Sequence, residues 1–234
     1  MAANKESARS GNRGKRETQA DRFNRIYKTL RERISLLEYP PGTVLNEGLL
    51  SREFGVSRTP VRSVLQRLGY EGLVTTRNGI GTIVTESDVK TFREVYALRM
   101  RLAEDLGVLS PVTPKPEVLE TLRDLRKRAR KLTRAGTDYK AYARLCNALH
   151  EQLLELSGNA ALREITDLLY YRTSRMWLTF LPESDWKEQV TALENEITDT
   201  IRALELEDMQ GVGQVRRRYL YRVLKTIGRY ITGD

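Results

Sequence analysis

The sequence predicts a mainly α-helical chain in two parts: three short helices closed by a small β-hairpin, then an antiparallel bundle of six helices. Three observations carry this. Apolar residues recur at helical spacing through residues 23–68. An Asn-Gly pair, Asn78-Gly79, separates two β-rich segments. From Asp88 onward helical periods dominate, broken only by short links.

Phe23, Ile26, Tyr27, Leu30, Ile34 and Leu37 define a first helix of about four turns. Tyr39-Pro40-Pro41-Gly42 ends it and turns the chain. Asn46 suits the N-cap of a second helix carrying Leu49, Leu50 and Phe54, and Gly55 stops it. In the third helix Val61, Val64, Leu65 and Leu68 form the core face, while Arg58, Arg62 and Gln66 share another face with Thr59 beside them. Ser57 or Thr59 can cap this helix. Pro60 is tolerated in its first turn, where the missing N–H has no intrahelical partner. Leu73-Val74-Thr75-Thr76 and Thr82-Ile83-Val84-Thr85 then form the hairpin strands, with Arg77, Asn78 and Gly79 at the tip and Ile80-Gly81 lengthening the loop.

Helical periods follow over 88–109, 116–135, 138–157, 159–181, 184–206 and 208–231. Ser110-Pro111-Val112-Thr113-Pro114, Gly136-Thr137 with Asp138 as a cap, Ser157-Gly158-Asn159 and Leu181-Pro182-Glu183-Ser184 separate them. The expected organisation is a basic, disordered tail over 1–20, a first domain over 21–87 and an all-helical domain over 88–234.

The net charge of +9 is spread as +3, +2 and +4 over residues 1–20, 21–88 and 89–234. The total therefore only hints at a polyanionic partner, and the placement of the basic groups decides. One cysteine, Cys146, excludes an internal disulfide, no apolar run is long enough to cross a bilayer, and the start lacks the apolar segment of a signal peptide. A cytoplasmic protein is expected.

Three short helices followed by a hairpin form the pattern of a winged helix-turn-helix, whose second motif helix enters the DNA major groove by its N-terminal residues. Arg58 and Arg62 stand one turn apart at that end, and arginine suits a guanine edge or a bidentate phosphate contact. The candidate DNA-binding residues are Ser57, Arg58, Thr59, Arg62 and Gln66 on the helix, with Arg77, Asn78 and Gly79 at the wing tip.

Residues 26–85 resemble the DNA-binding domain of GntR-type bacterial transcription regulators. The matching pieces are Tyr39-Pro40-Pro41-Gly42 with Leu45, Glu47, the run Phe54-Gly55-Val56-Ser57-Arg58-Thr59-Pro60-Val61-Arg62, then Leu65, Arg67-Leu68, Glu71-Gly72-Leu73-Val74 and Gly79-Ile80-Gly81-Thr82. The helical remainder resembles the FCD effector domain of the FadR-type branch, with a VanR-like six-helix bundle, through Arg99, His150 with Ser157-Gly158-Asn159, and Ala203-Leu204 with Asp208. The resemblance implies a homodimer on an operator with two half-sites, acting as a repressor or activator with repression favoured. It also implies a small-molecule effector, often a carboxylate, in the bundle. Many relatives carry arginine where this chain has Gly48 and glutamate where it has Ser63, which implies a different operator.

Many FCD domains hold a divalent metal through an aspartate and three histidines. Those positions map here to Cys146, His150, Ile197 and Tyr219, and the chain has a single histidine. Isoleucine cannot ligate, so no metal cofactor is expected. The alternative is a pocket that binds an organic acid directly, with Arg99, Cys146, His150, Arg172 and Tyr219 as candidate effector-binding residues. No Gly-rich phosphate loop, His-Glu-x-x-His or nucleophile elbow is present, which excludes most enzyme classes. A Cys146–His150 dyad is the one nucleophilic arrangement left, and it lacks an orienting third group.

The cationic run from Arg123 to Arg134 and the triplet Arg216-Arg217-Arg218 are expected to be solvated faces. Tyr170, Tyr171, Met176, Trp177 and Phe180 form an aromatic band suited to core or dimer packing, with Arg172 and Arg175 among them as candidates for pocket or interface roles.

Overall fold

The computed structural model describes residues 17–86, 89–180 and 182–232. The reading of residues 1–16 as a tail, and that of the Trp177 side chain, lie outside the described residues. The chain forms the winged helix-turn-helix and the helical bundle expected of it.

The first helix, α1 (Gln19–Ser35), starts inside the stretch read as tail, because Thr18 and Asp21 form a reciprocal capping box. It also ends before Leu37, which takes a positive φ of 55° as the Glu38 N–H closes back onto the Arg33 carbonyl. β1 (Val44–Leu45) has no counterpart in the sequence reading, since two residues carry no period. In α2 (Glu47–Phe54) the Asn46 side chain accepts from the Gly48 and Leu49 N–H groups, and Gly55 closes the helix in the left-handed region at φ 64°.

The third helix, α3 (Arg58–Tyr70), buries Val61, Val64, Leu65 and Leu68 against α1 and α2. Of the two residues read as possible caps, Ser57 occupies the N-cap position, without a side-chain hydrogen bond, and Thr59 lies inside the first turn. The third helical residue, a usual donor to an N-cap oxygen, is Pro60, which has no N–H. Strands β2 (Val74–Arg77) and β3 (Gly81–Val84) form the hairpin, and β1 adds to the far edge of β3, pairing Val44 with Ile83.

The bundle comprises α4 (Val89–Asp105), α5 (Pro116–Arg134), α6 (Tyr139–Leu154), α7 (Ala160–Ser174), α8 (Met176–Phe180), α9 (Trp186–Glu205) and α10 (Met209–Thr232). Asp138 and Asn159 cap α6 and α7 through their side chains. The segment 159–181, expected as one helix, breaks at Arg175. No glycine or proline marks that point. There Ser174 meets Ser35 and Arg175 donates to Thr85 Oγ1 at 2.8 Å, both in the N-terminal domain. α4 and α10 cross closely: a Cβ on Gly213 would lie 2.7 Å from the Ala103 carbonyl oxygen. That approach sets Arg99 of α4 opposite Arg216 of α10. Among the described residues no helix is long and apolar enough to cross a membrane.

Two cores result. One fills the bundle; the other fills the N-terminal domain and includes Tyr170 and Tyr171 of α7. These two tyrosines of the aromatic band thus belong to the seam between the domains.

Candidate functional site

All eight residues expected at the nucleic-acid face are exposed. Arg62, Gln66 and Tyr70 of α3 form one wall of an open groove of about 690 Å³; Thr75, Thr76 and Ile80 of the wing form the other. Arg77, Asn78 and Gly79 make the wing tip, where Gly79 adopts φ 79° and Gly81 φ 111°, conformations that favour glycine. Arg62, placed by the sequence on the face away from the core, is held by a partner in the structure. Glu47 at the start of α2 accepts from Arg62 Nε at 3.0 Å and from its terminal nitrogen at 2.9 Å. The Arg62 hydrogen bonds, with the nearby Arg58 charge, hold the Glu47 carboxyl below its ordinary range. A bidentate pair fixes the guanidinium plane and leaves its outer edge to the groove.

The second constellation lies inside the bundle. Arg99, Cys146 and Tyr219, three of the candidate effector residues, line one enclosed cavity of about 20 Å³ with Tyr96, Tyr142 and Arg216. Arg99 is buried, donates to Thr173 Oγ1 at 2.7 Å and lies over the rings of Tyr96 and Tyr170. Among the described residues no carboxylate lies within ion-pair distance of it. Burial lowers its proton affinity, and the neighbouring Arg216 charge adds to this. The hydroxyls of Tyr142 and Tyr219 meet at 2.9 Å.

His150 stands behind this wall. Its ring stacks on Tyr170 at 3.8 Å, and its Nε2 lies 3.1 Å from Asp167 Oδ1. Burial depresses its pKa to about 4, against the opposing pull of Asp167, so the imidazole is neutral at pH 7. Since an ionised carboxylate only accepts, Nε2 carries the proton. Arg172, the fifth candidate, is not in the cavity. It crosses the domain seam and donates from Nε to the Glu71 carbonyl at 2.7 Å.

Several residues of this region escaped the sequence reading. Arg216 is buried and donates to Glu196 Oε1 at 2.9 Å, correcting its assignment to a solvated face. The signal was present: Arg216 falls four residues after Val212 and four before Leu220, in the buried row of α10. Burial raises the Glu196 carboxyl and Arg216 opposes that. Asp167 was also missed. Burial alone would raise its carboxyl, but the His150 hydrogen bond and the Arg31 charge outweigh this and hold it low.

From Asp167 a polar chain runs into the N-terminal domain. Arg31 of α1 pairs with Asp167 and donates to the Tyr27 hydroxyl at 2.9 Å. Tyr27 donates to Glu71 Oε1 at 2.8 Å, and Arg67 of α3 donates to the same oxygen at 2.7 Å. The cavity wall is therefore joined to α3 through His150, Asp167, Arg31, Tyr27 and Glu71.

The positions where FCD domains hold a metal do not suit one here. His150 is committed to Asp167 and Tyr170, the Tyr219 hydroxyl to Tyr142, and Ile197 has no donor. Burial pushes the Cys146 thiol up to about 12, so it stays protonated. Among the described residues no three His, Cys, Asp or Glu side chains are grouped to hold an ion. The same proton affinities disable a Cys146–His150 dyad, which needs a thiolate beside a basic imidazole.

Comparison with known proteins agrees with both halves of this description. Residues 23–84 match the family described as bacterial regulatory proteins, gntR family, and residues 94–220 match the FCD domain. The chain is 38% identical over 137 residues to an uncharacterized HTH-type transcriptional regulator in an unstable DNA locus of Streptomyces ambofaciens, covering 57% of this chain and 56% of that protein. It is 30% identical over 156 residues to the uncharacterized HTH-type transcriptional regulator YdhC of Bacillus subtilis, covering 64% of this chain and 68% of that one. The matched region thus spans little more than half of the Streptomyces relative. In fold it is similar to E. coli McbR/YncC, with TM-score 0.75 at 18% identity over 89% of this chain and 97% of that chain. A GntR regulator from Rhodococcus sp. RHA1 gives TM-score 0.68 at 19% identity, over 88% and 97%. The chain belongs to the gntR family of bacterial transcriptional regulators, in the group that carries an FCD domain.

Proposed function

We propose that the chain is a one-component repressor of the cytoplasm, which as a homodimer holds an operator with α3 and the wing and releases it when a small organic acid enters the bundle. In the dimer the two α3 helices meet half-sites about one helical turn of DNA apart, roughly 34 Å, or a multiple of it. Arg58, Thr59, Arg62 and Gln66 meet the major groove, and Arg77 and Asn78 meet the flanking backbone or minor groove.

The observation that carries the effector reading is Arg99: a buried guanidinium lining a small internal cavity, with no carboxylate paired to it among the described residues. A ligand carboxylate supplies the missing counter-charge, and the Tyr142 and Tyr219 hydroxyls supply further hydrogen bonds. The cavity holds about one water as it stands, so a ligand must part its walls. Tyr170 forms one of those walls and stacks on His150, which passes the displacement to Asp167 and Arg31. A few kcal/mol of difference in ligand affinity between the two arrangements suffices to shift occupancy.

Thermal unfolding against a panel of small carboxylates tests this. A ligand at a hundred times its Kd stabilises by about 2.7 kcal/mol, and Arg99→Lys removes the shift. If no carboxylate raises the melting temperature or changes operator affinity, the effector reading fails.

A further inference from the structure

We infer that the cleft bounded by α1, α2 and the first turn of α3 seats a backbone phosphate of the bound DNA, held by Arg22 and Arg52. The cleft is lined by Arg22, Gly48, Arg52, Gly55, Ser57 and Arg58, with Ser51 and Val56 completing it. It shares no lining residue with the groove between α3 and the wing. Three successive helices each contribute one guanidinium, and no acidic side chain lines the cleft.

Arg52 and Arg58 have no carboxylate within ion-pair distance among the described residues. Among the described residues Arg22 pairs with Glu17 alone, at 3.3 Å between partly exposed side chains, a contact worth little in water. Such a cluster repels itself until an anion arrives. A phosphate relieves that repulsion and matches the guanidinium fork, which donates two parallel N–H groups to two oxygens.

Two glycines line the cleft. A Cβ on Gly48 would lie 3.2 Å from Asn46 Oδ1, a tight approach, and 3.6 Å from the Arg58 guanidinium, an ordinary contact. Gly55 turns the chain at φ 64° and likewise presents no side chain. At position 48, where many relatives carry arginine, this chain has no side chain, and the Arg58 guanidinium of α3 lies next to it. Arg52, one turn further along α2, lines the same hollow.

Arg58 at the cleft and Arg62 at the groove stand one turn apart on α3. A duplex read by Arg62 therefore brings its flanking strand past Arg58 to the cleft. This assignment rests on the reading that α3 enters the major groove. Phosphate contacts fix register and carry no sequence information. Arg22 and Arg52 accordingly act as positioning residues for the operator, distinct from base readers.

The test is fluorescence anisotropy with an operator duplex and a scrambled duplex of the same length, over a series of salt concentrations. Arg22→Ala and Arg52→Ala should each weaken both duplexes by the same factor. Each should flatten the slope of log affinity against log salt by about 0.9 per protomer. Arg52→Lys, which keeps the charge, should retain the slope. Unchanged affinity and slope in both alanine variants would overturn the assignment, and so would a loss confined to the operator duplex. Arg62→Ala is the control. If it abolishes discrimination between the duplexes while the cleft variants leave the slope intact, the cleft assignment alone falls. If it leaves discrimination untouched, the reading of α3 falls instead.

Discussion

Asp167 and His150 share one hydrogen bond, 3.1 Å from Nε2 to Oδ1, and through it the wall of the bundle cavity is tied to the DNA-binding domain. The other oxygen of Asp167 pairs with Arg31 of α1, so a single carboxylate stands at the seam with one contact facing each domain. His150 is neutral here, and the contact to Arg31 carries the charge.

Asp167→Asn keeps the shape of this junction and removes its charge. The expected outcome is a protein that still binds its operator but responds weakly to the effector. The change in operator affinity on ligand addition, of the order of 5–150-fold for an intact allosteric coupling, should fall toward one. Operator titrations with and without the carboxylate found by thermal screening check this. An undiminished response would place the coupling elsewhere.

The depressed pKa of His150 makes stability depend on pH in a defined window. Above pH 6.5 the imidazole is neutral in the folded and unfolded chains and contributes nothing. Below it the unfolded chain takes up a proton that the folded chain refuses until about pH 4. Stability is therefore lost as pH falls between these values, by about 2 kcal/mol at pH 5 relative to pH 7. Asp167, whose folded carboxyl is held low, adds a further loss only below its ordinary range near 3.8. Urea unfolding of wild type and His150→Asn at pH 7 and pH 5 isolates the histidine. The variant should lack this part of the acid sensitivity, and equal losses in the two proteins would contradict the buried neutral assignment.

Arg216 and Glu196 form a buried ion pair between α10 and α9. Removing one partner strands a charge in the core, so Arg216→Ala should cost about 3–5 kcal/mol of unfolding free energy. Replacing both with apolar residues of similar size, Arg216→Met with Glu196→Leu, should recover most of that loss. Chemical denaturation of the three variants tests it. A near-neutral Arg216→Ala would mean that the side chain is solvated after all.

Glu47 holds Arg62 through two hydrogen bonds, and Arg62 itself is largely exposed. Glu47→Ala should leave folding stability nearly unchanged, since exposed pairs contribute about 0–1 kcal/mol. At the DNA surface it removes a negative charge and frees the guanidinium. Binding to scrambled DNA should tighten and discrimination for the operator should fall. Selection from a random duplex library, with wild type and variant in parallel, reads both effects. Retained discrimination would show that Arg62 needs no positioning.

Much of the fold was legible because single residues mark its boundaries. Asn46, Gly55 and Asp138 each cap or close a helix where expected, the Ser157-Gly158-Asn159 turn separates two helices, and Asn78-Gly79 turns the hairpin. The break at Arg175 was not legible, since it coincides with contacts to Ser35 and Thr85, ninety or more residues away in sequence. The same holds for the seam. Asp167 looks like an ordinary surface acid in an amphipathic helix, and only the docking of α1 against α7 brings Arg31 and His150 to it. Arg216 is different. Its place in the apolar row of α10 was readable, but it was masked by Arg217 and Arg218 beside it, whose charge suggested a solvated run. Arg172, read as a candidate for a pocket or an interface, lies at the seam between the domains, where the turn of α7 directs it to the backbone at Glu71.

The central claim is that α3 reads DNA through the arginines at its start. Affinity for an operator duplex, selected with the wild-type protein, measures it most directly when repeated with Arg58→Ala and Arg62→Ala under the same salt. Both side chains are exposed, so neither change should unfold the protein. A lost bidentate base contact is worth about 1–3 kcal/mol, so each variant should bind the operator roughly 5–150 times more weakly. Operator affinity unchanged in both, with the fold intact, would contradict the account.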